Sequence, residues 1–289
     1  MIDNYINEKM IMIEKALKDY FIQPPKFATK VYESMRYTLF SKAKRIRPLL
    51  MIMIAETFKC DIRKILPFAC AIEYVHTSSL ILDDLPCMDD AKLRRDKPAN
   101  HIVFGENISI LAAIALLNHA YSIIAKCNSN VENSKLLKIM EILTTAISIE
   151  GLVGGQSIDL LSKEKKIQLE MVEYIHRFKT ASLFIAAAKI SAILCDANTV
   201  EENAVTHYAE SLGNAFQISD DLKDQLLTEK ELGKDTKKDV SSTTYLSYFG
   251  VEDTKKIIYQ LIENAINKLS ILSYDAKLLI QLAEKLRKI

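Results

Sequence analysis

Asp83-Asp84-Leu85-Pro86-Cys87-Met88-Asp89-Asp90 puts four carboxylates into eight residues, directly after an apolar helical run from Pro67 to Leu82. Charge at that density beside apolar surface is costly unless a cation sits with it. A second acidic group, Asp220-Asp221-Leu222-Lys223-Asp224, closes another apolar helix much later in the chain. Asp220 and Asp224 stand at i, i+4, where like charges repel on a bare helix and a bound cation removes the penalty. Two such clusters predict one divalent-metal site built from two helices.

The rest of the 289 residues support a helical frame. The chain is 49% hydrophobic, and its 7 glycines and 6 prolines leave little material for frequent turns. No linker, low-complexity stretch or fixed-period repeat divides it, so one domain over residues 1–289 is expected. Lys plus Arg number 38 against 37 Asp plus Glu, which gives no bulk attraction to nucleic acid or to an acidic membrane. Cys60, Cys70, Cys87, Cys127 and Cys195 are scattered and form no Cys-x-x-Cys pair, so they read as core fillers in a reducing compartment. The first residues carry acids and no apolar signal core. The most apolar stretches, Ile108 to Ala125 and Leu183 to Cys195, are interrupted by Asn118, His119 and Lys189, short of the ~18 clean residues that a membrane span needs. A soluble, cytoplasmic protein is expected.

Apolar spacing predicts helices over Asp3 to Tyr20, Thr29 to Phe40, Leu49 to Phe58, Pro67 to Leu85, Ile108 to Lys126, Val131 to Ile149, Ile167 to Cys195, Glu201 to Leu227, Glu252 to Leu269 and Tyr274 to Lys288. Three basic groups fall near their ends. In Lys42-Ala43-Lys44-Arg45-Ile46-Arg47-Pro48 the proline suits a first helical turn, which aims Lys44 and Arg47 at whatever that N-terminus faces. Arg94-Arg95 follows the first acidic cluster, and Lys234 lies in the loop Gly233 to Asp239. His76 shares a helix face with Asp83. Gly154-Gly155 reads as a close helix contact with Gln156 toward a cavity. Lys179-Thr180 sits between Phe178 and an alanine-rich run, where a lysine needs an anion or a route to water. Magnesium takes hard oxygen ligands and is commonly shared between carboxylates and substrate phosphates. The pattern therefore describes a cavity for diphosphates with an apolar wall, and a substrate with a charged head and a greasy tail.

On Lys44-Arg45-Ile46-Arg47-Pro48, His76 through Asp90, Leu93-Arg94-Arg95, Gly154-Gly155-Gln156 with Asp159, Lys179-Thr180, Gly213 through Asp224 and Gly233-Lys234, the chain resembles the trans-type isoprenyl diphosphate synthases. The likeness covers nearly the full length. Two extra residues between Asp84 and Asp89 are characteristic of the bacterial and plastid short-chain branch. The resemblance implies an all-α, single-domain antiparallel helical bundle around a deep central cavity, usually a homodimer. It implies three Mg2+ ions held by Asp83, Asp84, Asp89, Asp220 and Asp224, with Arg94, Lys179 and Lys234 adding positive charge and Thr180 and Gln217 lining the reacting cation. Isopentenyl diphosphate would sit with Lys44, Arg47, His76 and Arg95 and extend an allylic partner: dimethylallyl, geranyl or farnesyl diphosphate. In this branch the residues four and five before the first aspartate form the floor under the growing chain. Here they are Ser79 and Ser78, which implies an open floor and geranylgeranyl diphosphate as product, with farnesyl diphosphate as the alternative.

Several positions depart from the family pattern. Lys42-Ala43 stands where two glycines are usual, Asp96 replaces a glycine, and Ala113-Ile114 stands where Gly-Asp is common. The loop Lys237 to Thr243 is short, with Ser242 where a lysine would precede Thr244-Tyr245. No metal ligand is lost. A class I terpene cyclase usually mixes Asn, Ser/Thr and Glu in its second motif, and a non-catalytic partner subunit would lose aspartates from one cluster; the sequence fits neither. Functionless acidic helix ends would leave the three basic groups unexplained.

Overall fold

The structure is a computed structural model that describes residues 2–163, 165–226 and 243–287. Its centre is made by two helices that are apolar all round, α3 (Ile46–Thr57) and α10 (Ser182–Leu194), as a helix must be when every face meets protein. Every residue from Leu49 to Ala55 is at most 2% exposed. α3 begins earlier than its apolar run suggests, because Arg45 adopts a left-handed conformation (φ 44°) that turns the chain and Pro48 occupies the third helical position, where no intrahelical N–H is needed.

Around this pair pack α4 (Ile62–Asp83), α11 (Thr199–Leu226) and the partners of each. α4 starts five residues before the expected Pro67. Asp61 caps it by accepting the Arg63 N–H at 2.9 Å, and that cap lets the helix run through Pro67. α11 starts with a reciprocal cap. The Asn198 carboxamide accepts the Val200 and Glu201 N–H groups at 2.9 and 3.0 Å, and Glu201 accepts the Asn198 N–H at 2.9 Å. α6 (Glu106–Ala125) lies along α4, and α12 (Tyr245–Leu269), broken at Gly250 (φ 68°), lies along α11. α1 (Ile2–Asp19) and α13 (Lys277–Lys285) close one side. α2 (Thr29–Leu39), α5 (Asn100–Phe104), α7 (Asn133–Ile147), α8 (Leu152–Ser162) and α9 (Leu169–Ile175) complete the wall.

Two features differ from the expected elements in ways that matter for the site. The single long helix expected from Ile167 to Cys195 is three pieces: α9, a π-helical turn over His176–Ala181, and α10. Between α4 and α5 a two-residue hairpin pairs Leu93 with Pro98 and Arg94 with Lys97. Its turn residues, Arg95 and Asp96, are both left-handed (φ 56° and 61°), the geometry of a type I′ turn. Asp96 serves here in place of glycine because aspartate tolerates that region better than most residues.

By length and composition α4 and α6 do qualify as membrane spans, contrary to the sequence expectation. α4 is mostly buried in the core. α6 keeps an apolar face outward, with Ile110, Leu111 and Ile114 exposed.

Candidate active site

Asp83 is the last residue of α4 and Asp84 its C-cap, so both carboxylates stand at the negative end of the helix dipole, where cations are favoured. The structure supplies cations from three directions. Arg94 grips Asp84 with Nε at 2.9 and 3.1 Å from the two carboxylate oxygens and a further Nη2 bond, and Asp84 is only 1% exposed. Lys163 donates to Asp89 at 2.8 Å. Lys179 donates to Asp159 at 2.6 Å and stands 3.7 Å from Asp83. Burial pushes the Asp83 carboxyl up to about 6; Lys179 opposes the shift and Asp89 adds to it. Lys179 itself is held above its ordinary value, because Asp83, Asp159 and Asp89 outweigh its burial. The anion that the sequence required for this lysine is Asp159.

The hairpin sends its two arginines to different places. Arg94 goes to Asp84, while Arg95 donates to Ser41 Oγ at 3.2 Å. Arg95 and Arg47 are both pushed down to about 10, by burial first and by the charges of neighbouring arginines. His76 is held well below its ordinary value by burial and by Arg47 and Arg95. Arg47, His76 and Arg95 are therefore brought together. The acid that reaches Arg47 and Arg95 electrostatically is Glu73, whose carboxylate is bonded to Arg45 at 2.7 Å. Two arginines beside a neutral imidazole are built for an anion. Lys44 is exposed beside it, 5.5 Å from the Phe216 ring, and Arg47 lies 4.5 Å from the Phe184 ring. The two rings are 5.8 Å apart and form an aromatic bed under both cations.

The π-helical turn links the two acidic helix ends. Lys179 faces Asp83, and the next residue, Thr180, donates to Gln217 of α11 at 2.5 Å. Gln217 donates to Asp221 at 2.7 Å, and His176 Nε2 stands 3.1 Å from the other Asp221 oxygen. Asp221 is thus anchored, and Asp220 and Asp224 complete the acidic group at the end of α11. Asp220 is close enough to stabilise the charge on Arg47. Gly155 explains how the turn fits: a Cβ there would lie 2.2 Å from the Lys179 backbone nitrogen. The glycine pair is a close contact, as expected, and it leaves Gln156 donating to Asp83 Oδ1 at 2.5 Å while its own Oε1 is buried with no partner.

Among the described residues no three His, Cys, Asp or Glu side chains converge into a ready-made metal cage. The donors are hard oxygens instead: carboxylates on two helix ends and the unpartnered Gln156 oxygen. This set fits Mg2+ with substrate oxygens completing its shell. Lys234, with Gly233, Lys237, Lys238 and Ser242, lies outside the described residues. Asp159, Lys163, the His176–Asp221 pair and the Phe184–Phe216 bed gave no site signal in sequence, apart from the place of Asp159 in a shared motif. Ala113, one of the departures from the family pattern, is fully buried and its carbonyl accepts the Ser78 hydroxyl at 2.8 Å.

The profile of one family, polyprenyl synthetase, matches residues 28–274. The chain belongs to the polyprenyl synthetase family. It is similar to the geranylgeranyl diphosphate synthase of Cyanophora paradoxa, 41% identical over 94% of this chain and 91% of that protein. Among solved structures it resembles an FPP/GFPP synthase from Zymomonas mobilis at TM-score 0.88, 29% identical over 98% of both chains. It also resembles a geranyltransferase from Helicobacter pylori complexed with magnesium and isoprenyl diphosphate, at TM-score 0.86 and 25% identity over 98% and 95% of the two chains. The helical fold of this polyprenyl synthetase is therefore that of the isoprenyl synthases, and the chain is a prenyltransferase.

Proposed function

We propose that this prenyltransferase condenses isopentenyl diphosphate head to tail with allylic diphosphates (dimethylallyl, geranyl and farnesyl), with geranylgeranyl diphosphate as its main product. The π-helical turn carries this reading: it joins Lys179 at one acidic helix end to Thr180 and Gln217 at the other, so groups for a departing diphosphate and for a developing cation share one wall. Lys179, Arg94 and, outside the described residues, Lys234 bind and hold the leaving diphosphate. Thr180 and Gln217 offer oxygens beside the allylic carbon as it gains positive charge. Arg47, His76, Arg95 and Lys44 bind the second diphosphate and orient its double bond. No side chain acts as a nucleophile, and the proton lost at the end passes to the released diphosphate. Mg2+, three ions by family expectation, would be held by Asp83, Asp84, Asp89, Asp220 and Asp224 and would supply Lewis-acid charge to the leaving group. Asp84 also fixes Arg94.

Ser78 and Ser79 are small, and the next residue on that stripe of α4 is Tyr74, fully buried, about 14 Å of helix rise below Asp83. Its ring lies 5.2 Å from that of His119, and its hydroxyl donates to the Leu17 carbonyl at 2.8 Å. A floor at Tyr74 suits a chain longer than one stopped at Ser78. Farnesyl diphosphate is the alternative product.

The chain would act as one soluble, cytoplasmic domain and as a homodimer. One continuous core unites the helices from α1 to α13, and exposed Ile102, Val103, Ile110, Leu111 and Ile114 on α5 and α6 offer an apolar face for a second copy. The test is purified protein with Mg2+ and isopentenyl diphosphate, offered five-, ten- and fifteen-carbon allylic primers separately, with products read by mass spectrometry. Accumulation of the twenty-carbon diphosphate, abolished by a chelator, is expected. A stop at fifteen carbons would move the floor, and failure to extend any primer would overturn the synthase reading.

A further inference from the structure

Cys60 and Cys195 are far apart in sequence, yet folding brings them together at the end of the bundle away from the aspartates. α3 and α10 pack side by side, and each is closed by the same device. After α3, Lys59 is left-handed (φ 57°) and the Cys60 N–H donates to the Ala55 carbonyl at 2.8 Å. After α10, Asp196 is left-handed (φ 58°) and the Ala197 N–H donates to the Ala192 carbonyl at 3.0 Å. Both ends are therefore fixed by backbone caps before the side chains are considered. The Cys60 thiol lies 3.7 Å from the Leu194 carbonyl, the peptide group bonded to Cys195, so the two cysteines are neighbours across the helix ends. Both residues are half-buried, accessible to a small oxidant without exposing the core. The other cysteines are placed differently: Cys70 is buried, Cys87 is exposed, and Cys127, in the turn after α6, bonds to the Ile123 carbonyl of that helix at 3.3 Å.

We propose that Cys60 and Cys195 form a reactive dithiol, which a peroxide or a small-molecule disulfide converts into a 60–195 disulfide stapling the end of α3 to the end of α10. With hydrogen peroxide, the Cys60 sulfur attacks one oxygen and the O–O bond breaks. Hydroxide leaves and takes the thiol proton as water, and Cys60 becomes a sulfenic acid. The Cys195 sulfur then attacks the sulfenic sulfur, the S–O bond breaks, and the Cys195 proton departs with the hydroxide as a second water. Two thiols lose two electrons and one peroxide gains two. Burial, and after it Cys60, push the Cys195 thiol up. The closed loop, residues 61–194, contains all of α4 and the first acidic cluster. Restricting so much of the unfolded chain stabilises the folded state. The far ends of α3 and α10 lead to Arg47 and Thr180, so the staple would lock the two helices that carry both sides of the site.

The reduced full-length protein is treated with a slight excess of hydrogen peroxide or with glutathione disulfide, alkylated, and mapped by non-reducing peptide mass spectrometry. A linked pair of peptides containing Cys60 and Cys195 is expected. With it should come a rise in Tm of roughly 5–15 °C that dithiothreitol reverses. Cys60→Ser and Cys195→Ser should each abolish the link and the shift while keeping the helical circular dichroism and the activity of the reduced enzyme. A triple variant, Cys70→Ser, Cys87→Ser and Cys127→Ser, should retain both. Oxidation that stops at a Cys60 sulfinate or a stable glutathione adduct, or that links Cys87 between molecules instead, overturns the proposal. A 60–195 link with no change in Tm overturns the staple.

Discussion

Arg45 and Arg47 sit two residues apart in one basic stretch and do opposite things. Arg45 is a structural ion: its fully buried side chain bonds to Glu73 at 2.7 Å and Glu14 at 2.8 Å and to the Leu39 carbonyl. Arg45→Met leaves Glu73 buried without its partner and should cost about 3–5 kcal/mol in urea unfolding. Arg47 lies over Phe184 with its Nε lacking any partner. Removing it relieves a buried charge, so Arg47→Met should leave stability unchanged or raise it by about 1 kcal/mol. The same variant should raise the KM for isopentenyl diphosphate at least tenfold, roughly the loss of one charge-assisted hydrogen bond. Sequence could group these two bases but not divide them. The division depends on the left-handed turn at Arg45, which points one side chain into the core and the next along α3.

At the scale of elements, the π-helical turn is the part that periodicity missed. The apolar pattern around Lys179 fits an uninterrupted helix, because one extra residue in a turn changes the backbone hydrogen bonds without changing the residue types. Gly155 is its counterpart on α8. Gly155→Ala should displace the Lys179 backbone, destabilise the protein by about 1–3 kcal/mol and lower kcat more than it raises KM. On α4, the Tyr74 ring packs against Phe21 and His119, which with Phe68 and Ile123 line a pocket of about 880 Å³. Tyr74→Ala should join the cavity to the chain channel and lengthen the product, while Tyr74→Phe, which removes only the bond to Leu17, should keep the product length. Mass spectrometry of the alcohols after dephosphorylation reads both.

For the whole molecule, the open question in solution is the outward face of α5 and α6. Leu111 and Ile114 are 51% and 49% exposed on a helix otherwise apolar enough to span a membrane. Exposed apolar surface of that kind marks an interaction site. On the proposed homodimer, Leu111→Asp with Ile114→Asp should shift the mass to that of one chain by analytical ultracentrifugation without a membrane or detergent present. An unchanged mass would remove α6 from the dimer contact.

The sequence alone determined the helical class, the two acidic helix ends, the basic groups and the chemistry they share, because composition, charge density and spacing act locally and do not wait for packing. The tertiary structure decided which members of each group do which work. Asp84 is given to Arg94, Asp221 to His176 and Gln217, Arg45 to Glu73, and Lys179 to Asp159 and Asp83. It also decided that the Cys60 thiol meets the Leu194 carbonyl beside Cys195. These pairings join residues from elements distant in the chain, and only the burial that drives the helices together fixes which polar groups must find one another.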